Sequence, residues 1–137
     1  MFSYIRKAQY HETDQMGFIH HSNYIKWMEE ARIAFMDAIG AGYAALEKAG
    51  IASPVVSLSV EYKQPVYFDD EVEIQVNVSQ NTGAKIELSY AIYNRTRGEL
   101  STKALSKHCF IKAGRLLSVK IELPDLYEKL AVQESAT

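Results

Sequence analysis

The order of residues predicts an α+β domain, with one long helix lying on a five-stranded antiparallel sheet. Three features carry that expectation. Apolar residues between positions 24 and 39 recur at three- and four-residue spacing, and from Ile51 onward the apolar period shortens to two. One further alternating segment precedes the helix, and every connection between the later strands is short enough to make them antiparallel neighbours.

The first element, Ser3 to Tyr10, reads as a half-buried strand with Tyr4, Ala8 and Tyr10 on one parity and Lys7 and Gln9 on the other; Ile5 and Arg6 break the pattern. Tyr24, Trp27, Met28, Ala31, Ala34, Phe35, Ala38 and Ile39 then define the helix, and Ser22 or Asn23 is the expected cap. Its apolar arc spans roughly 200°, leaving a narrow polar stripe of Lys26, Glu29, Glu30 and Asp37, so the helix should be wrapped by its sheet. "GAG" at 40–42 ends or kinks it, a short helical turn follows through Leu46, and Gly50 is a stop.

Strand two pairs Val56, Leu58, Val60 and Tyr62 against Ser57, Ser59, Glu61 and Lys63. "DEVEIQVNVSQ", "KIELSYAIYN" and, more loosely, "LSTKALSKHCFIKAG" supply three more strands, with turns expected at "QPVYFDD", "NTG" and "RTRGE". The tail reads as a short helix after Pro124 that then frays. "YAIY" and "VYFDDEVEI" place apolar residues on both parities, which predicts a homo-oligomer covering the second sheet face.

With 137 residues, 47% of them hydrophobic, one domain spanning 1–137 with a continuous core is expected. A net charge of −2 and a pI near 6.1 argue against a general grip on nucleic acid. A lone cysteine, Cys109, and the absence of an export-type leader in "MFSYIRKAQY" give a cytoplasmic expectation, and no apolar run is long enough to cross a bilayer. Cys109 and His108 read as core or interface residues.

The stretch "YHETDQMGFIHHSNY" holds His11, Glu12, Asp14, His20 and His21. A metal site is disfavoured, because adjacent histidines point apart and no pair stands at helical ligand spacing. A solvated polar turn is the plain alternative. Asp14 differs by position: it follows a strand, precedes a helix start, and has Gly17 between to reverse the backbone. A carboxylate there can face free N–H groups around His21 to Asn23, which could polarise a carbonyl as an oxyanion site does.

Asp14, Gly17, His21, Asn23 and Tyr24, followed by Glu29 or Glu30, Ala31 and Arg32 in "WMEEAR", closely resemble the signature of hot-dog-fold acyl-CoA thioesterases, the 4-hydroxybenzoyl-CoA thioesterase and YbgC-like group. "VSLSVEYKQPVYFDDEVEI" is similar to that family's second and third strands, so the resemblance covers nearly the whole chain. It implies a hot-dog fold, in which a five-stranded antiparallel sheet wraps a central helix, and hydrolysis of an acyl-CoA without a cofactor or metal. It implies that Asp14 is the catalytic carboxylate, as nucleophile or general base. His21 is implied to bind the thioester carbonyl through its backbone N–H, with its side chain orienting substrate or water. Gly17, Ser22, Asn23 and Tyr24 would position these groups. "HH" at 20 and 21 departs from the aromatic-first pair of other branches, which bears on acyl specificity.

Coenzyme A phosphates need basic partners, for which Lys63, Arg95 and Arg97 lead, with Lys85, Lys103 and Lys107 behind. The expected assembly is a homodimer or a dimer-of-dimers tetramer without membrane insertion. The competing readings are a non-hydrolytic module binding acyl-CoA or an acyl-carrier protein on the same fold, and a hydratase or dehydratase, against which the lack of a recognisable Asp/His pair counts.

Overall fold

The computed structural model describes residues 2–134. Strand β1 (Phe2–Lys7) leads through a single 3-10 turn (Tyr10–Glu12) and a loop into helix α1 (His21–Ala38). Helix α2 (Tyr43–Lys48) and the two-residue strand β2 (Ile51–Ala52) follow. The long strands are β3 (Val55–Tyr62), β4 (Glu71–Asn81), β5 (Lys85–Asn94) and β6 (Glu99–Cys109). A small hairpin of β7 (Ile111–Lys112) and β8 (Arg115–Leu116) and helices α3 (Val119–Glu122) and α4 (Pro124–Gln133) complete the described chain.

The five-stranded sheet has the order β1-β4-β5-β6-β3, antiparallel at every pairing, while β2, β7 and β8 form a separate small sheet. Inward residues of β4 and β5 alternate as expected: Val72, Ile74, Val76 and Val78 on one, Ile86, Leu88, Tyr90 and Ile92 on the other. They receive the buried face of α1, where Trp27, Met28, Ala31, Phe35 and Met36 lie within the core. The sheet curves round this helix, which is the hot-dog arrangement.

Several local expectations are corrected. β1 stops at Lys7, and Tyr10 is not an inward strand residue: it starts the 3-10 turn and is 75% exposed. Arg6 takes the inward parity with Phe2, Tyr4 and Ala8. Its guanidinium lies 5.0 Å over the Trp27 ring and pairs with Glu12 at 3.1 Å and Glu30 at 2.9 Å, so the break in the pattern is a charge with partners waiting beneath it. Helix α1 begins earlier than expected, and its cap is His20, not Ser22 or Asn23. The segment after Cys109 does not continue the strand: Phe110 turns into the core and β7 and β8 pair back. α3 was not foreseen, and the fraying expected at 135–137 lies outside the described residues.

The unpaired surface is mixed. Outward residues of β4 and β5 are mainly polar, including Glu73, Gln75, Asn77, Glu87 and Ser89. Exposed apolar residues stand among them at Ile5, Tyr93 and Leu105, and others lie on the sheet's edge strand β3, at Val55, Val56 and Leu58, and on α1 at Ile25 and Ile33.

Behind that edge a polar chain is buried. Arg32 donates to His108 Nδ1 at 2.8 Å, His108 Nε2 lies 2.6 Å from Ser106 Oγ, and Ser106 Oγ lies 2.9 Å from the Tyr90 hydroxyl. Burial and the adjacent Arg32 charge push the His108 pKa down to about 3. Glu29 holds the other side of Arg32 at 2.7 Å, and Cys109 is buried beside the chain.

Candidate active site

The loop 13–20 is built around one buried carboxylate. Glu12 accepts from the Gln9 N–H at 2.8 Å, from Trp27 Nε1 at 2.8 Å and from Arg6 Nη2 at 3.1 Å. Its backbone carbonyl accepts from Asn23 Nδ2 at 2.8 Å and from the His20 N–H at 2.9 Å. One residue therefore ties β1, the loop and the first two turns of α1 together. In the sequence Glu12 offers a ligand atom only to the disfavoured metal reading; the signal for its structural part is Trp27, whose indole N–H needs an acceptor once buried.

Asp14 stands on this scaffold in a turn of its own. Its Oδ1 accepts from the Met16 N–H at 2.8 Å, its carbonyl accepts from the Gly17 N–H at 3.1 Å, and its N–H donates to Phe18 O at 2.9 Å. Gly17 has a φ of 88°, a conformation that L side chains rarely adopt, which returns the chain toward α1. Ile19, fully buried, anchors the return through its N–H to Val66 O at 2.8 Å. The second carboxylate oxygen of Asp14 makes no hydrogen bond among the described residues.

Across a cavity of about 360 Å³, Asp14 faces the start of α1. Met16, Phe18, His21, Tyr24, Tyr62 and Lys63 complete most of its wall. At the helix start, the Ser22 N–H is taken by His20 Nδ1 and the Asn23 N–H by His20 O. The His21 N–H carries no hydrogen bond among the described residues, which leaves it as a free donor of the first turn. The His21 ring is stacked on His20 at 4.2 Å and meets the edge of Tyr62 at 6.3 Å.

Two tyrosines line the apolar side. The Tyr24 hydroxyl accepts from the Val66 N–H at 3.1 Å, and the Tyr62 hydroxyl donates to His21 O at 3.1 Å. Burial pushes both phenols up from their ordinary values, so both stay neutral hydrogen-bonding groups near neutral pH. Tyr62 was read from sequence only as a strand residue; its part in the cavity depends on the β3 edge passing the helix start.

The candidates therefore separate. Asp14, His21 and Tyr24 share one cavity with Lys63 at its wall. Gly17 shapes the loop, Ser22 lies under the His20 cap, and Asn23 points away from the cavity into Glu12 O. Arg95 and Arg97 are elsewhere. Arg97 donates to Asp70 at 2.9 Å and stacks 4.1 Å from the Tyr67 ring, while Arg95 pairs with Glu71 at 3.5 Å. Asp70 also accepts from Asn94 and from the Tyr67 N–H, and these hydrogen bonds, offsetting its desolvation, hold its carboxyl below the usual carboxylate range. Tyr67 in turn packs edge-on against Phe18, so Arg97 lies one aromatic layer behind the cavity wall.

A polar basin of about 530 Å³ opens on the other side of the loop, between His11, Asp14, His20 and Lys26. Among the described residues, no three His, Cys, Asp or Glu side chains converge as they would to hold a metal ion. A larger groove, about 570 Å³, lies on the outer sheet face around Ser89, Ala91 and Leu105. Lys63 lines both that groove and the Asp14 cavity.

Comparison with known proteins shows the family and agrees with the fold. The profile of the thioesterase-like superfamily matches residues 8–130. YneP of Bacillus subtilis, provisionally named an acyl-CoA thioesterase, is 40% identical over 102 residues, 74% of this chain and 73% of its own. The acyl-CoA thioester hydrolase YbgC of Escherichia coli O6:H1 is 28% identical over 94 residues, covering 69% of this chain and 70% of its own. The crystal structure of a DHNA-CoA thioesterase from Staphylococcus aureus superimposes with a TM-score of 0.89 at 32% identity, over 95% of this chain and 88% of that one.

Proposed function

We propose, from the premise that this chain belongs to the thioesterase-like superfamily and is a thioester hydrolase, that its substrate is an acyl-CoA and that Asp14 is the catalytic carboxylate. The observation that carries the reading is that Asp14, whose second carboxylate oxygen makes no hydrogen bond among the described residues, and His21, whose N–H makes none either, line one cavity. A thioester carbonyl lying between them would point its oxygen at the His21 N–H, where the positive end of α1 adds to the stabilisation as charge develops. Asp14 Oδ1 is held by the Met16 N–H, which leaves Oδ2 to attack the carbonyl or to take a proton from water. The thiolate is a good leaving group, so this minimal set suffices. In the nucleophilic route the acyl group passes to Oδ2, the C–S bond breaks, and water releases the acid; in the base route water adds directly. In a single turnover in ¹⁸O water, label in Asp14 identifies the nucleophilic route with water opening the anhydride at the aspartyl carbonyl, whereas water attacking the acyl carbonyl, in either route, puts the label in the released acid.

Gly17 keeps the loop turned toward the helix, and Tyr24 and Tyr62 bound the acyl side. Lys63 is the basic residue best placed for a coenzyme A phosphate, because it stands at the wall of the Asp14 cavity. Arg95 and Arg97 are kept as partners farther along the nucleotide, with Arg97 offering its unspent guanidinium nitrogens from behind Tyr67. The working unit is at least a homodimer joined along the β3 edge, with each cavity at the subunit boundary. The open strand edge and the exposed Val56, Leu58, Ile25 and Ile33 support this.

Thiol release from a panel of acyl-CoAs, with chelator present and absent, tests the reading. Release that persists with chelator is expected. Tight acyl-CoA binding without any release would favour the non-hydrolytic module instead.

A further inference from the structure

Helix α1 is capped by an imidazole. The Ser22 N–H donates to His20 Nδ1 at 3.2 Å, and Ser22 Oγ lies 2.9 Å from the same nitrogen. A backbone N–H can only donate, so Nδ1 must carry the lone pair and the neutral ring bears its proton on Nε2. The hydroxyl of Ser22 then donates to that nitrogen as well. Through its carbonyl, His20 also accepts the Asn23 N–H at 2.9 Å. A single residue thus satisfies two of the donors that a helix start leaves open, and the N–H of His21, a residue that lines the Asp14 cavity, is passed over.

We propose that His20 is a positioning residue for thioester hydrolysis: its Nδ1 cap on Ser22 reserves the His21 N–H as the donor for the substrate carbonyl and fixes the angle at which it points. The proposal rests on the reading of Asp14 and His21 given above. Without the cap, the Ser22 N–H becomes a second free donor beside the first, and the opening turn of α1 loses a constraint. The carbonyl oxygen would then be shared between two directions, of which only one sets the thioester against Asp14 Oδ2. The arrangement is specific to the loop: the His20 N–H is held by Glu12 O at 2.9 Å, so the ring is carried on the same buried carboxylate residue that braces Asp14.

His20 also stacks on the His21 ring at 4.2 Å with an interplanar angle of 28°, so capping and stacking must be told apart. Three variants do so. His20→Asn can cap but cannot stack, His20→Phe can stack but cannot cap, and His20→Ala does neither. With an acyl-CoA that the parent hydrolyses, His20→Asn should keep kcat within about twofold of the parent. His20→Phe and His20→Ala should each lose about fivefold or more in kcat, with KM changed less than about twofold, the scale of a lost helix cap. The KM and kcat split matters because general loosening of the cavity would raise KM. Parent-like turnover in His20→Ala overturns the proposal, as does recovery by His20→Phe with loss in His20→Asn, which would assign the role to stacking. Melting temperatures check folding, and if His20→Ala is unfolded the Asn and Phe pair still decides. An inactive parent would bring down the reading of the site itself, whereas an active parent with an inactive Asp14→Asn and an unaffected His20→Ala would bring down the cap alone.

Discussion

Glu12→Ala should be among the most destabilising single changes in the loop. The Glu12 carboxylate is 7% exposed and accepts from three donors: the Gln9 N–H, Trp27 Nε1 and Arg6 Nη2. Truncation leaves the buried indole N–H without a partner, at a cost of about 1–3 kcal/mol, and removes one of the two carboxylates holding Arg6. Breaking a buried ion pair costs about 3–5 kcal/mol, but Arg6 keeps Glu30 at 2.9 Å, so that contribution falls below the range. Because the three contacts share one group they do not add, and about 3–4 kcal/mol is the expected total. Glu12→Gln keeps the shape and one acceptor while turning an amide toward Arg6 or Gln9, for about half that loss. Urea unfolding at fixed protein concentration reads the effect directly, since the chain's one tryptophan is Trp27 itself. With a urea slope of about 1.5–2 kcal/mol per M, the Ala midpoint should fall by about 2 M. A fall of less than about 0.3 M would refute the hub, and with it the account of how the Asp14 loop is held.

His108 predicts an acid limb in stability. Its folded pKa of about 3 lies below the ordinary 6.5, so the unfolded chain binds the proton first. Stability is then fully present above pH 6.5 and falls by roughly 1.4 kcal/mol per pH unit as the pH drops toward 3. Between pH 7 and 5.5 the urea midpoint of the parent should fall more than that of His108→Gln; parallel losses would remove His108 as the cause. Sedimentation at micromolar concentration should give a dimer or larger, and a stable 15.5 kDa monomer would contradict joining along β3. Lys63→Ala should raise KM with little change in kcat, and Arg95→Ala with Arg97→Ala should do so more weakly, because such contacts hold ground and transition states alike. Arg97→Ala should also lower the melting temperature, since Asp70 loses a partner; an unchanged KM in all of them would put the nucleotide elsewhere.

The helix and the four later strands were legible because their apolar periods are long and clean, as in the Val72, Ile74, Val76 and Val78 run on β4. Legibility failed where a side chain makes a contact remote in sequence. Arg6 looked like a break in β1 because nothing nearby reveals that Glu12, Glu30 and Trp27 gather around it. His20 was passed over as a cap because imidazole is not among the usual N-cap side chains, and its role depends on a loop angle set by Glu12 and Ile19. Apolar residues on both parities of the strands are legible in the sequence, and Ile5, Tyr93 and Leu105 are exposed on the outer face, but that β3 is the open edge, with Val55, Val56 and Leu58 exposed, needs strand order and not parity alone. Spacing and resemblance single out Asp14 and His21, and in the structure both residues line one cavity.

The most direct test of the central claim is the turnover number of Asp14→Asn, measured by thiol release on an acyl-CoA that the parent hydrolyses. Asparagine keeps the size of the side chain and the acceptor for the Met16 N–H at 2.8 Å, so the loop and the assembly should survive, as melting and sedimentation would check. What it lacks is the charge needed to attack a carbonyl or to accept a proton from water. The account predicts that kcat falls by about a hundredfold or more while KM moves far less. A folded Asp14→Asn protein with kcat within about threefold of the parent would contradict it and pass the chemistry to another group on the cavity wall.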